Sequence, residues 1–223
     1  MPALATASSR NGRKAPAAPP VEEVATVNID RIGVRTLIVP LVGTSPLVVH
    51  RFSEKAKRQM LDAMQGRRSP KESKDPNAEY EAAAYRFKDG GFGFPVIGFK
   101  AATVGGARFY SGVTMRELKQ YLFFRGEIGL DGQMLARIEG EPHIREDVVT
   151  VGRGGHDLRY RPEFTEWRTE LTVIYVTSSI TQNSVLSLID AGGMGVGVGE
   201  WRPERDGDFG TFMVDPDREV KVL

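Results

Sequence analysis

The chain of 223 residues has no cysteine. That excludes a disulfide framework, a thiolate zinc site and a cysteine nucleophile, and it suits a reducing, cytoplasmic setting. Long apolar runs are missing as well. None approaches the roughly 20 residues of a bilayer span, so no membrane partner is expected. An excess of one charge is also missing: 30 Lys and Arg stand against 29 Asp and Glu. Any affinity for a polyanion must therefore come from local patches. Histidine is scarce. His50, His143 and His156 lie far apart with no H-E-x-x-H or i,i+4 pair, so no metal, and no other cofactor, is expected. No Gly-Lys pair exists for a P-loop, and no Gly-x-Ser-x-Gly elbow for a serine nucleophile.

Residues 1–27 are rich in Ala, Pro and Ser, without the apolar core of a secretory signal. They read as a disordered arm, made basic by Arg10, Arg13 and Lys14. Residues 28–223 read as one domain, with a hairpin insertion around 120–170. "VRTLIVPLVGTSPLVVH" is a buried strand interrupted at Pro40 and at "GTSP". "SEKAKRQMLDAMQG" is a helix capped by Ser53 and stopped at Gly66, and "AEYEAAAYRF" is a second. "GFGFPVIGFKAATVGGARFY" opens as a strand and turns helical near Phe99. Strands then run through 122–128, 133–139, 145–164 and 166–178, and a helix over 181–191 ends at Gly192. "GTFMV" closes the chain's strand set. Strand, helix, strand at both ends fits an α+β, ferredoxin-like (RRM-like) βαββαβ core around a central β-hairpin insertion.

The glycine-dense stretch "AGGMGVGVGEWRPERDGDFGTFMV" runs G-x-G-x-G after a helix and before a strand. That order is reversed for a dinucleotide fingerprint. Such a loop lets another backbone come close and offers amides to anions. With Trp201, Arg202 and Arg205 beside Gly197 and Gly199, it suits gripping phosphate and base. It equally suits a long turn whose Trp201 plugs the core. From Arg51 to Lys74, eight basic residues face three acids. Arg51, Lys55 and Arg58 belong to this polyanion footprint, which also fits a solvated helix face.

Three motifs in order carry a family resemblance. "GTSPLVVHRF" (43–52) ends a strand in a Pro-Leu turn. "FPVIGFKAATVGGARF" (94–109) opens a helix, with Lys100 and Arg108 where a helix-start Lys and a following Arg fall. A glycine-rich loop precedes the last strand. Together they resemble the RAMP superfamily, the ferredoxin-like proteins of CRISPR effector complexes, with a divergent phage or mobile-element member in view. The chain departs from the pattern in having Ile97-Gly98 for Pro-Gly, and Glu200 with a Trp-Arg-Pro insert in the loop.

The resemblance implies a non-catalytic protein that binds single-stranded RNA or DNA, RNA favoured. It would oligomerise along the strand, alone or with other effector-complex subunits. It also implies that the hairpin "VVTVGRGGHDLRYRPEFTEW" grips the strand through Arg153, Arg159, Tyr160 and Arg161, where cations and a stacking face alternate. A surface hairpin with solvated arginines is the plainer reading. Two other functions stay open. One is a RAMP-type endoribonuclease using His50; the other is a phage structural or regulatory protein that binds partners through the Trp201 loop.

Overall fold

The computed structural model describes residues 28–67, 74–151 and 155–223. The basic arm at 1–27, Arg68, Lys71 and Arg153 lie outside these residues. The chain divides into a short unit, Met1–Arg31, and a compact one, Ile32–Leu223. Within the latter, β1 (Val34–Gly43) pairs antiparallel with β10 (Arg168–Val176) on one side. On its other side it pairs with β11 (Phe212–Val214) and β12 (Lys221–Val222). β10 in turn takes β5 (Leu122–Arg125). Between β1 and β5 lies α3 (Val96–Gly105), and between β10 and β11 lies α5 (Gln182–Gly195). The order β11-β1-β10-β5 with two crossover helices is the ferredoxin-like βαββαβ arrangement, and the fold is α+β.

Alternation builds the core. Leu37, Val39 and Leu41 of β1, and Leu171, Val173 and Tyr175 of β10, turn one sheet face toward Phe99 of α3 and Val185, Leu188 and Ile189 of α5. Each such burial contributes about 1.5–3 kcal/mol.

The remaining elements extend this unit. β7 (Met134–Glu139) continues the sheet beside β10, with β4 (Phe92–Pro95), β3 (Tyr85–Arg86) and β6 (Glu127–Ile128) beyond it. A second sheet holds β2 (Leu47–Val48) and the long hairpin of β8 (Pro142–Val151) and β9 (Gly155–Phe164). The helices α1 (Glu54–Met64), α2 (Pro76–Ala83) and α4 (Met115–Tyr121) complete the set.

Four expectations need correction. β1 runs through Pro40 unbroken, because Pro40 sits between the stretches paired to β12 and β11. Its carbonyl accepts the Asp215 N–H at 2.9 Å on that side, and its missing N–H costs no ladder bond. α3 starts at Val96, three residues before Phe99, directly after Pro95. α5 does not stop at Gly192, since a side chain there would press on the Ala102 carbonyl of α3, and glycine lets the two helices touch. α1 leaves Met60, Leu61 and Met64 exposed instead of packing them inward.

Candidate nucleic-acid interface

The glycine-rich loop is sewn to the body of the domain. Gly197 and Gly199 have φ of +68° and +78°, a left-handed backbone that glycine adopts without strain. The Val198 amide donates to the Gly210 carbonyl and the Glu200 amide to Val48, both at 2.9 Å, while Gly210 N–H donates to Pro46 at 2.7 Å. A Cβ on Gly199 would stand 2.5 Å from the Val48 carbonyl oxygen. The close approach these glycines permit is to their own chain. Trp201 remains 39% exposed and meets Phe209 edge-on at 6.4 Å. Arg202 is held by the Gly199 carbonyl and by Glu204, both at 3.0 Å, and Arg205 is exposed.

The hairpin corrects the expected alternation of cation and ring. With a strand period of two, Arg159 and Arg161 share one face and Tyr160 takes the other. That shared face turns inward. Arg161 is 1% exposed; its Nη2 donates to Asp147 at 2.5 Å and its Nη1 to Glu200 at 3.4 Å. Arg145 bridges Asp147 at 2.8 Å and Glu163 at 3.0 Å. Both guanidinium groups lie against the Trp201 ring, at 5.6 Å for Arg145 and 5.7 Å for Arg161. Buried charges need such partners, since the desolvation penalty that remains after relaxation is still several kcal/mol per ion. Arg161 therefore fastens the hairpin to the loop and presents no cation to solvent. Tyr160 is hydrogen-bonded to Glu146, which pushes its phenol up. On the hairpin's outer face, Val148 (65% exposed) sits opposite Leu158 and Ile144 opposite Pro162, with the Glu146–Tyr160 pair between them, where a row of cations was expected.

His50 follows β2. Its Nδ1 is shut away from solvent with no hydrogen-bond partner. Burial, aided by Arg159 and Arg161 and opposed by Glu200, holds its pKa below the ordinary 6.5. Among the described residues no carboxylate or carbonyl orients Nδ1 as in an activated histidine base.

A cationic surface forms at the β5 edge. Strand alternation buries Leu122 and Phe124 and turns Phe123 and Arg125 outward. The Lys100 ammonium of α3 sits 5.4 Å from the Phe123 ring centroid and donates to the Lys119 carbonyl at 3.2 Å. Partial burial, with the positive charges of Arg125 and Lys119 close by, holds Lys100 below its ordinary pKa. None of the three cations has a carboxylate partner among the described residues. Lys119, Phe123 and Arg125 were not singled out in the sequence; the readable signal was the in–out pattern of "LFFR".

The other expected cations are scattered. Arg51 donates through Nε to the Ala82 carbonyl at 3.1 Å, Arg58 is exposed on α1, and Arg108 lies 3.7 Å from Glu204. The side chains of Lys55 and Arg153 lie outside the described residues. Among the described residues no three His, Asp or Glu side chains gather as metal ligands, and no helix is long and apolar enough to cross a membrane.

No protein-family model and no curated protein matches this chain. Among solved structures it is similar to Cmr6 from Pyrococcus furiosus. The identity is 9%, the match covers 83% of this chain and 100% of that chain, and the TM-score is 0.42.

Proposed function

We propose that the protein binds single-stranded nucleic acid without cutting it, favouring RNA, and assembles along the strand. The observation that carries this reading is the surface of Lys100, Lys119 and Arg125 around Phe123. In a chain of net charge +1, three cations converge there with no acid among the described residues to neutralise them. An exposed ring beside them offers a stacking face. Phosphates supply the missing counter-charge, and a splayed base uses the ring.

The preference for RNA, and for company in an effector-type complex, comes from the motif resemblance to the RAMP superfamily. Assembly of copies along a strand is supported by the exposed Ile144, Val148 and Leu158 on the outer face of the β8–β9 hairpin, apolar side chains that contact with a second copy would bury. The test is fluorescence anisotropy with labelled single-stranded RNA, single-stranded DNA and duplex of one sequence, followed by sedimentation on strands of increasing length. Single strands are expected to bind, RNA most tightly, in complexes that grow with strand length. Equal binding to duplex, or none to any strand, contradicts the reading.

A further inference from the structure

A cavity of about 220 Å³ lies between α3 and the glycine-rich loop. Tyr85 and Phe94, in T-shaped contact at 6.2 Å, form an aromatic wall. Gly98 and Ala101 of α3 form a flat floor of small residues, and the backbone of Gly197–Gly199 faces it. An apolar hole of about 150 Å³ accepts one benzene. This space accepts one aromatic ring system, with a sugar left at the mouth.

The polar groups around it set the chemistry. Among the described residues that line it, Arg202 is the one Arg or Lys, and Glu204 matches it at 3.0 Å; the buried Arg161 behind is matched by Glu200 at 3.4 Å, while Arg51 near Tyr85 and Arg159 near His50 lie outside the lining. Glu200 spends only Oε2 on Arg161, so its Oε1 is an acceptor without a partner among the described residues. The half-buried Tyr85 hydroxyl also has none. A flat, uncharged ring carrying an amino group satisfies both.

We propose that this cavity binds one amino-bearing nucleobase (adenine, cytosine or guanine), with its exocyclic amino group donating to the Glu200 carboxylate. Uracil has no amino group, and its N3–H lies between two carbonyl oxygens that repel the carboxylate, so it is disfavoured there. The same chemistry is offered by a free nucleoside and by a base within a strand. The proposal stands apart from the strand-binding reading, since a nucleoside has no phosphate for the Lys100 surface.

The test is calorimetric titration of the full chain with adenosine, cytidine, guanosine and uridine, and with oligocytidine and oligouridine. Ala101→Leu puts a good helix former at an exposed position of the cavity floor and fills the space. Amino-bearing nucleosides are expected to bind at least about tenfold tighter than uridine, the scale of one hydrogen bond to a charged acceptor. Ala101→Leu should abolish that binding. Should only the oligonucleotides bind, the source is a strand, and Ala101→Leu must then erase the preference for oligocytidine. Should Ala101→Leu fail to fold, Tyr85→Phe keeps the ring, removes the hydroxyl and must still weaken binding. The proposal is overturned if neither nucleosides nor oligonucleotides distinguish amino-bearing bases from uracil. It is equally overturned if the discrimination survives in the folded variants. Removing the charges of Lys100, Lys119 and Arg125 leaves nucleoside binding intact, which separates failure of this site from failure of the strand-binding surface.

Discussion

Arg161 donates to Asp147 at 2.5 Å across the β8–β9 hairpin, with the guanidinium 1% exposed and the carboxylate almost as deeply buried. The register pairs Asp147 with Arg159 and Arg145 with Arg161, so this contact is diagonal. Arg145 reaches Asp147 two residues along the same strand and Glu163 on the other diagonal, and Glu200 reaches in from the glycine-rich loop. One buried cation thus ties two strands and a loop that are remote in sequence.

Removing one partner of a buried pair leaves the other charge without compensation. Asp147→Ala is expected to lower unfolding free energy by about 3 kcal/mol, the lower end for such pairs because Glu200 still faces Arg161. Glu127→Ala breaks a half-exposed pair to Arg137 at 2.8 Å and should cost no more than about 1 kcal/mol. Chemical denaturation of both variants checks the contrast. Equal effects would contradict the burial of Arg161.

Gly199→Ala forces a side chain into a backbone of φ +78° and against the Val48 carbonyl. A loss of about 1–3 kcal/mol is expected. Gly112→Ala has a similar φ of +81° but meets nothing within 4 Å, so its cost should stay near 1 kcal/mol. Thermal melting of the two variants separates packing from backbone strain.

His50 gives a pH dependence of defined sign. Its folded pKa lies below 6.5, so the unfolded chain takes up a proton first as the solution is acidified. The stability tied to its neutral form is complete above pH 6.5 and declines as pH falls through that value toward the folded pKa. Arg159 and Arg161 facing the ring deepen the effect, and Glu200 opposes it. His50→Gln should flatten the stability curve across that window. An unchanged slope in denaturant midpoints would show that His50 does not carry it.

The core was legible because its signal is local. The β-branched, apolar stretches around 34–43 and 168–176 and the helical spacing of Val185 and Ile189 place β1, β10 and α5 without long-range information. α4 escaped because it has only seven residues, although Thr114 and Glu117 form a capping box that announces it. Arg161 was misread for a different reason. Its partners Asp147 and Glu200 lie on another strand and in another loop, and composition does not say which face of a hairpin is covered. The Lys100 surface was half legible. Lys100 stood out in its motif, whereas Phe123 and Arg125 join it only once β5 lies beside α3.

The central claim, strand binding at the β5 edge, is tested most directly by the salt dependence of affinity. Lys100→Gln, Lys119→Gln and Arg125→Gln are combined, and anisotropy with single-stranded RNA is measured over a range of salt concentrations. Each lost phosphate contact should reduce the slope of log affinity against log salt by about 0.7, so the triple variant should lose about 2 units while keeping its melting temperature. An unchanged slope and affinity in the folded variant would contradict the account.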